Sequence, residues 1–512
     1  MKETHVFIPE YTEPLPVSTP EEQGIPSAAV MDFLKTVKER DLGVDSFQIV
    51  RNGKLCFSVI AKPYHENSFH RIYSAAKGIV ATAILFCIQE GRFSLDSLVV
   101  PLIPTKWIPE DLDERWNRLT VYHLLTMTTG HDRDTMFEMW KRDCWIRTFF
   151  DVKPAYEPGT WFLYDMGAQY VMNEIVAYQT GQTTGEYLEE RLFSKIGVAY
   201  TNNFTLPEDL FFSSTMQLKP EGITRLALFY LNKGKWNGEQ LLREDLAVLA
   251  GEHHGPSSHR VLGKRQGNFA GYALHMWRNK GGGFRFDGGQ GQFGMVLPDE
   301  NMAVGILSCS NNANEILDVF FDTVFAECFN HPIEADPYDK ALLKHYADSW
   351  SLGPENVLPW SETADKVSDA VYHLEENPWG QKNICFRFEK DQVLILTEDK
   401  EGTHTFICGL RNEFPETDAG YLLTDKKPEE IADIDHNFCY DVRKTMYSGG
   451  WKAPDVFAFV MRSHAFLSDH RYECRFFGDR IEIRMSNNTV NPRGQYRNRA
   501  EAPDIILRGK KA

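Results

Sequence analysis

The chain has 512 residues, a formal net charge of −17, 42% hydrophobic residues and 25% charged residues. This length is too great for one hydrophobic core, so we expect two domains with the composition of an ordinary soluble globular protein. The net negative charge repels phosphate backbones and anionic lipid surfaces, so we expect neither nucleic acid nor a membrane as a partner.

The N-terminus and the cysteines indicate the compartment. Residues 1–6 lack the charged and apolar regions of a secretion signal, and the longest apolar run is about half as long as a membrane span. The nine cysteines are odd in number and show no C-x-x-C spacing, which indicates neither a disulfide framework nor a zinc site. We therefore expect a reducing, cytoplasmic setting, no metal and no cofactor. The sequence does not indicate an oligomeric state.

The first predicted elements are a helix and a hairpin. Ser27 is expected to cap a helix whose apolar positions recur at helical spacing. Phe47 to Arg51 and Lys54 to Ile60 are predicted strands, and Asn52-Gly53 between them is the strongest short hairpin signal. The chain thus begins with a helix followed by antiparallel strands.

A serine and a lysine stand just before a long apolar run. Ser74 and Lys77 are three residues apart, so on a helix their side chains lie one turn apart on the same face. The run from Ile79 to Ile88, ended by Gly91, predicts a helix that is buried on all sides. There a desolvated lysine can activate the serine hydroxyl, and the backbone N–H of Ser74 can help hold an oxyanion. Taken alone, such a pair is more often a helix cap and a surface lysine than a catalytic pair.

Two stretches in the middle of the chain carry further candidates. Leu119 to His131 predicts a short helix ending at Gly130, and its histidines lack the ligand spacing of a metal site, which favours a structural role. Tyr164 precedes a predicted helix from Ala168 to Thr180 and therefore lies on a loop, where functional side chains are common. A single tyrosine in such a place is more often simply packed.

A glycine-dense segment separates two predicted strands. Gly271 to Trp277 and Phe293 to Leu297 are predicted strands, and the segment between them includes Gly281 to Gln292. Its glycines allow a close backbone approach to a ligand, but no phosphate-binding spacing occurs. A strand from Met302 to Ser308 and a final helix from Asn314 to Phe329 are expected to follow.

The pattern of hydrophobicity changes near Pro332. Short segments of alternating hydrophobicity predict an antiparallel β domain, either a sandwich or a barrel, so we expect domains at 1–335 and 336–512. The last twenty residues or so carry six Arg or Lys residues against two acidic residues and are predicted to form a solvated tail. The predicted strands are Ile384–Phe388, Val393–Leu396, Thr405–Cys408, Val456–Met461, Tyr472–Phe476 and Ile481–Met485.

Together, several of these stretches resemble the serine β-lactamase-related family, which includes class C β-lactamases, DD-peptidases and their esterase and amidase relatives. The resemblance covers roughly residues 18 to 330. It implies an α/β (α+β) fold of the β-lactamase/transpeptidase type, in which an antiparallel sheet is flanked by helices and a helical subdomain covers the nucleophile helix. Its motifs, in the family's order, are Ser74-x-x-Lys77, Leu119 to Gly130, Pro158-Gly159-Thr160 with Tyr164, and Gly288 to Gln292 before Pro298-Asp299.

The resemblance also implies roles for individual residues. Ser74 would be the nucleophile, Lys77 its proton acceptor, and Tyr164 the group that protonates the leaving group and activates water. The oxyanion hole would combine the N–H of Ser74 with one near Gly288 or Gly289. The neighbouring Asp287 and Gln290 would also belong to this substrate-binding strand, and no metal is implied.

Two departures from the family pattern bear on the substrate. Met166 stands where the family's Tyr-x-Asn motif has asparagine, and Asp287 stands where a lysine or histidine usually holds a substrate carboxylate. Asp287 either pairs with Arg285 on the same strand face or faces the pocket. Penicillins and cephalosporins are therefore disfavoured. We expect a serine hydrolase that cleaves a small-molecule ester or amide through an acyl-enzyme; the alternative is a catalytically weakened binding or regulatory module.

Overall fold

The fold is that of a computed structural model, which describes residues 5–202, 216–254, 270–377, 380–400, 402–418, 422, 445–463, 469–487 and 505–512. In the first part of the chain, helices surround a central sheet. The helices are α1 (Ser27–Glu39), α2 (Ala76–Gln89), α3 (Val121–Leu125), α4 (Met136–Met139), α5 (Trp145–Asp151), α6 (Met166–Thr180), α7 (Thr184–Leu188), α8 (Ser194–Ile196), α9 (Pro220–Leu231), α10 (Glu244–Gly251), α11 (Ala313–Phe320) and α12 (Pro337–Asp348).

The strands of this part build the central sheet and two smaller sheets. The central sheet has the order β3-β2-β12-β11-β10-β9, and every neighbouring pair is antiparallel. The strands are β1 (His5–Phe7), β2 (Val44–Arg51), β3 (Lys54–Ile60), β4 (His70–Arg71), β5 (Tyr200–Asn202), β6 (Met216–Leu218), β7 (Lys235–Trp236), β8 (Glu239–Gln240), β9 (Trp277–Arg278), β10 (Phe284–Gly288), β11 (Gln292–Leu297) and β12 (Met302–Ser308).

Both faces of the central sheet are covered by helices. Ala303 and Leu307 of β12 belong to one core together with side chains of α2 and α9, whereas Val304 and Ile306 belong to a second core with α1 and α11. Successive side chains of a strand point to opposite faces, so a strand covered on both sides is apolar throughout. The predicted strand at 302–308 is confirmed, and so is the hairpin, where Asn52 and Gly53 have φ of 51° and 75°.

Helix α2, which follows Ser74, lies between the central sheet and a helical subdomain that includes α3, α5 and α6. Every residue of α2 from Ala76 to Cys87 is buried, as its uninterrupted apolar run predicts. One neighbour of α2 is α6, which also packs against α3 and α5. The helical subdomain thus rests on the helix that follows Ser74.

Three predicted helix boundaries differ from the structure. Pro26 rather than Ser27 occupies the N-cap of α1, because the Ser27 hydroxyl donates to the carboxylate of Glu21 instead. α3 ends at Leu125 rather than Gly130, since Met127 adopts a left-handed φ of 57° that an α-helix cannot continue through. α11 ends at Phe320 and continues as a wider π-type turn to Phe325.

The strand predicted from Gly271 to Trp277 is wrong for most of its length. Only Trp277 and the following Arg278 form β9. Gly271 has a φ of 130° and His275 a left-handed φ of 57°, so the backbone turns before the strand begins. Periodicity alone cannot detect this turn, since the segment contains a single glycine.

The C-terminal strands form a closed barrel. One sheet runs in the order β16-β15-β14-β13-β22-β21-β20-β19-β18-β17, and a parallel pairing of β16 with β18 closes it. The antiparallel β domain is therefore confirmed as a barrel. Its elements are α13 (Glu362–Val367), β13 (Val371–Leu374), β14 (Asn383–Phe388), β15 (Gln392–Glu398), β16 (Thr403–Leu410), β17 (Glu416–Thr417), β18 (Thr445–Ala453), β19 (Val456–Ser463), β20 (Asp469–Phe477), β21 (Arg480–Asn487) and β22 (Ile505–Lys511).

The predicted basic tail is wrong for its final residues. Ile505 to Lys511 form β22, which pairs with β13 and β21. Leu507 and Gly509 are buried while Arg508 and Lys510 are exposed, so the basic side chains occupy the outer face of a strand. The earlier part of the predicted tail lies outside the described residues.

The connection between the two parts packs on the first part. α12 contacts α1, and the indole N–H of Trp350 donates to the carbonyl oxygen of Val44 at 3.1 Å. The division at residue 335 stays a prediction about independent folding. Among the described residues, no helix combines the length and the hydropathy needed to cross a bilayer.

Candidate active site

Ser74 lies in a tight turn between β4 and α2. The turn is a 3₁₀ segment from Tyr73 to Ala75, and the backbone N–H of Ile72 before it donates to the carbonyl of Met216 at 3.1 Å. Tyr73 has a left-handed φ of 46°, a conformation in which a bulky residue is strained. Such strain persists only where the surroundings hold it, and it is frequent next to reactive groups.

The structure brings Ser74 and Lys77 together as their spacing predicts. Lys77 Nζ donates to Ser74 Oγ at 2.9 Å, and the lysine is only 1% exposed. Burial disfavours the ammonium and lowers the pKa of Lys77 from 10.5 to about 8. Near neutral pH an appreciable fraction of the lysine is therefore uncharged and able to accept a proton.

Three carboxylates act in the opposite direction on Lys77. The charges of Asp134, Asp165 and Asp287 each raise its pKa, although burial remains the larger effect. Of these, Asp287 is a residue that the sequence places near the site. The sequence does not place Asp134 near the site, because the residues around it form no distinctive motif. Only the folded chain brings it close to the lysine.

Asp165 anchors the loop that carries Asp134. Its Oδ1 accepts from the backbone N–H and the hydroxyl of Thr135, at 3.0 and 2.7 Å, and from the N–H of Gly167 at 2.9 Å. Its Oδ2 lies 3.2 Å from Nδ1 of the fully buried His131. Burial raises the pKa of Asp165, but the hydrogen bond and charge of His131 and the donors of Thr135 outweigh it, so the pKa lies below its ordinary value.

Asp134 contacts the residue that stands in place of the family's asparagine. Its Oδ1 accepts from the backbone N–H of Met136 at 3.0 Å and from that of Met166 at 3.1 Å. Met166 is the residue that replaces the asparagine of the family motif. Burial and the neighbouring charge of Asp165 raise the pKa of Asp134 to about 7. Two adjacent carboxyl groups thus have pKa values driven apart by their surroundings, a pattern typical of reaction centres.

Tyr164 forms part of an aromatic wall beside the lysine. Lys77 Nζ lies 4.8 Å from the centre of the Tyr164 ring. This ring stacks on Trp277 at 5.8 Å and meets Tyr272 edge-on at 6.3 Å. Neither Trp277 nor Tyr272 was expected from the sequence, since single aromatic residues in an apolar segment are ordinarily core residues.

The glycine-dense strand approaches the Ser74 turn closely. A Cβ atom at Gly288 would lie 2.1 Å from the carbonyl oxygen of Ile72, so only glycine fits there. The Gly289 carbonyl accepts from the side chain of Gln292 at 3.0 Å in the turn that follows. Gln290 has a left-handed φ of 64° and is 2% exposed, so its side chain is packed inside the protein.

Asp287 pairs with Arg285, the first of the two alternatives for this residue. Arg285 Nε donates to Asp287 Oδ2 at 2.8 Å; the arginine side chain is fully buried and the aspartate side chain is 18% exposed. Burial raises the pKa of Asp287, and the guanidinium of Arg285 partly counteracts it. Asp287 therefore presents one end of an ion pair to the site rather than an isolated charge.

Histidines near the site have structural partners. The ring of His123 accepts from the backbone N–H of Thr120 at 3.2 Å and so caps α3. His131 Nε2 faces the carbonyl oxygens of Phe149 and Val152 at 3.2 and 2.9 Å. Burial lowers the pKa of His275 to about 3, and the charge of Lys77 acts in the same direction.

The sequence of the first part of the chain matches a known family. A family model described as Beta-lactamase matches residues 18–319, which is more than half of the chain. The chain belongs to the beta-lactamase family. Both the resemblance to this family and the predicted fold class are thereby confirmed.

Individual members of the beta-lactamase family are similar to this chain at low identity. A lovastatin esterase of Penicillium rubens is 24% identical over 193 residues, which make up 33% of this chain and 47% of that protein. A beta-lactamase of Pseudomonas fluorescens is 22% identical over 179 residues, 32% of this chain and 47% of that protein. The chain thus spans less than half the length of these curated relatives.

A solved structure shares the fold. A putative 6-aminohexanoate-dimer hydrolase from Bacillus anthracis superposes with a TM-score of 0.50 and 18% identity, covering 62% of this chain and 90% of that chain. The three relatives described here are named as an esterase, a beta-lactamase and a putative dimer hydrolase.

The buried pair of Asp165 and His131 generates a prediction about stability. We expect Asp165→Asn to lower the free energy of unfolding at pH 7 by about 3 kcal/mol, because it removes the charged group that Thr135, Gly167 and the His131 ring face in a buried site. The pKa of Asp165 is lowered on folding, so its contribution is complete at neutral pH and is lost as the pH falls through the folded-state value. Urea unfolding at pH 7 and at low pH measures both effects.

The matched control for this prediction is Glu157→Gln, which breaks an exposed ion pair with Arg118. Exposed pairs contribute little to stability, so this variant should unfold like the wild type. An Asp165→Asn protein as stable as the control at pH 7 would contradict the role given to the buried pair.

Proposed function

We propose that the protein is a serine hydrolase that cleaves an ester or amide bond of a small molecule through a covalent acyl-enzyme on Ser74. One observation carries the proposal: a buried lysine with a pKa of about 8 donates to the Ser74 hydroxyl at 2.9 Å. A lysine placed only for structure has no need of desolvation, whereas a lysine that serves as a base does.

In the acylation step, uncharged Lys77 accepts the proton of Ser74 as Oγ attacks the substrate carbonyl. The developing oxyanion is held by the N–H of Ser74 and by an N–H of the strand end at Gly288 or Gly289, which approaches the Ser74 turn. The bond to the leaving group then breaks, and Tyr164 passes it a proton. Water attacks the acyl-enzyme in the reverse sequence, which returns the proton to Ser74 and releases the acid.

Asp134 takes over the electrostatic role of the missing asparagine in this proposal. It lies against the backbone of Met166, and its charge raises the pKa of Lys77. When Lys77 has taken the serine proton, a carboxylate beside the new ammonium stabilises it. The substitution at Met166 is therefore compatible with catalysis, which favours an enzyme over a binding or regulatory module.

The substrate we propose is a neutral or cationic ester or amide. A carboxylate, Asp287, stands where relatives are expected to place a cation, and the cation nearest to it, Arg285, is buried and bonded to it. An aromatic wall of Tyr164, Trp277 and Tyr272 offers apolar contact. The lovastatin esterase among the relatives is named for an ester substrate, in agreement with this class.

Covalent labelling tests the proposal directly. An active-site-directed fluorophosphonate should add one phosphonyl group to the protein, located by peptide mass spectrometry on the peptide that contains Ser74. Ser74→Ala should abolish the adduct, with Ser68→Ala as the matched control outside the turn. The absence of labelling on a folded wild-type protein would instead favour the binding-module alternative.

The lowered pKa of Lys77 predicts the pH dependence of acylation. The base must be uncharged, so the acylation rate should rise with pH through a midpoint near 8. Lys77→Arg cannot supply an uncharged base and should reduce turnover by at least about 100-fold while the fold is retained. A flat profile from pH 6 to 9 would show that another group takes the proton.

The ion pair at Asp287 generates a prediction about substrate charge. An isolated carboxylate about 4 Å from a substrate carboxylate would cost roughly 4 kcal/mol at an effective dielectric of 20, but Arg285 offsets most of this. We therefore expect a neutral ester to be preferred to a matched anionic ester by only about tenfold. Asp287→Asn leaves Arg285 uncompensated and should improve kcat/KM for the anionic ester by at least about tenfold.

The matched control is Asp299→Asn, which makes the same charge change in the turn between β11 and β12. This turn lies at the end of β11 that is remote from Asp287. It should leave the ratio between the two esters unchanged. Equal ratios in the wild type and in Asp287→Asn would remove Asp287 from substrate selection.

A further inference from the structure

A buried chain of ionisable side chains connects the C-terminal barrel to the Ser74 turn. Arg462 on β19, Asp45 on β2 and His70 on β4 are 1%, 1% and 2% exposed. His70 Nε2 lies 2.8 Å from Asp45 Oδ2, and Arg462 Nη1 lies 3.9 Å from Asp45 Oδ1. A single carboxylate of the central sheet thus faces one cation from the barrel and the ring that precedes the nucleophile.

Both ring nitrogens of His70 have polar partners. Nε2 faces the Asp45 carboxylate, and Nδ1 lies 3.0 Å from the carbonyl oxygen of Arg71. The orientation of the ring is therefore fixed at both nitrogens. Tyr64 packs edge-on against the ring at 5.3 Å. The ring therefore holds the Arg71 carbonyl in a fixed position.

Asp45 is the shared member of the chain. A buried carboxylate is tolerated only with compensating charge and hydrogen bonds, and here His70 supplies the hydrogen bond while Arg462 supplies a positive charge at ionic range. The backbone of Asp45 is held independently, since its carbonyl accepts from the N–H of Ala61 at 2.8 Å. Loss of Arg462 would thus change the orientation and partners of the carboxylate without releasing the strand.

The Ser74 turn is sensitive to the position of Arg71. The Arg71 guanidinium lies 4.5 Å from the centre of the Tyr73 ring, and Tyr73 is the residue with the strained φ of 46°. The carbonyl of Ile72, between them, is in contact with Gly288 of the glycine-dense strand. A shift of β4 would therefore move Ser74 relative to both its base and the oxyanion strand, and a displacement of about 1 Å at a reaction centre can cost about 100-fold in rate.

We propose that Arg462 of the C-terminal barrel is a positioning residue for Ser74, acting through Asp45 and His70. The inference rests on the proposed function of Ser74 as a nucleophile. The barrel then completes the active site of the first domain without contributing a group that touches the substrate.

Exposed contacts between the two parts of the chain provide the comparison. Lys62 Nζ pairs with Glu413 Oε1 at 2.9 Å, but the two side chains are 55% and 68% exposed. Arg471 similarly pairs with Asp41 at the surface. Water and salt screen such pairs, so they do little to fix the barrel relative to the first part of the chain. Lys62→Gln thus removes a contact between the same two parts of the chain without touching the buried chain of ionisable side chains.

The experiment measures fluorophosphonate labelling of the full-length protein, with the maximal rate of inactivation separated from the reversible binding constant. We expect Arg462→Gln and His70→Asn each to reduce the maximal rate at least about tenfold with the binding constant unchanged. Arg462→Lys, which keeps the charge, should recover most of the rate. Because both substitutions interrupt one chain, the double variant should be no more than about threefold slower than the slower single variant.

The outcomes separate this inference from the proposed function. If the wild type is not labelled at Ser74, the proposed function fails and the inference fails with it. If the wild type is labelled and the maximal rate of Arg462→Gln equals that of Lys62→Gln, only the inference is overturned. The same holds if the rate reductions of Arg462→Gln and His70→Asn multiply in the double variant. If no Arg462 variant yields folded protein, the arginine is required for folding and the positioning role is overturned. A maximal rate equal to that of the wild type in folded His70→Asn would also overturn it.

Discussion

The exclusion of water from Lys77 is the constraint on which the rest of the site depends. An ammonium that is 1% exposed would ordinarily be held by a direct carboxylate partner, but here the hydrogen bond described for its Nζ goes to a serine hydroxyl. The environment needed for this is an apolar helix buried along its length, and α2 supplies it by lying between the central sheet and the helical subdomain. The desolvation of Lys77 next to Ser74 therefore depends on both the sheet and the helical subdomain.

The carboxylates around the lysine have separate tasks that their surroundings enforce. Asp165 is fully enclosed and is bonded to His131, Thr135 and Gly167, so it remains ionised and structural. Asp134 accepts from the backbone N–H groups of Met136 and Met166 and lies beside the negative charge of Asp165, which together with burial raises its pKa. Two residues of the same type, in neighbouring loops, thus have pKa values shifted in opposite directions, because hydrogen bonds outweigh burial at Asp165 but not at Asp134.

The parts of the site that lie in one continuous segment could be predicted from the sequence. Ser74 and Lys77 were placed together by their three-residue spacing ahead of an apolar run, and the sheet strands by apolar runs and the Asn52-Gly53 turn. Asp134 could not be found in this way, because its proximity to Lys77 depends on a loop held by Asp165. The same applies to Trp277 and to the turn at His275, whose left-handed φ is set by tertiary contacts rather than by residue type.

The internal position of β22 in the barrel has a consequence for the integrity of the chain. β22 lies between β13 and β21, so its removal would leave the hydrogen-bonding groups of two strands uncovered along the sheet. Open strand edges of this kind recruit further strands from other molecules. Proteolytic loss of the segment from Ile505 to Lys511 would thus convert a closed surface into one that promotes self-association, even though that segment lies far from Ser74 in the sequence.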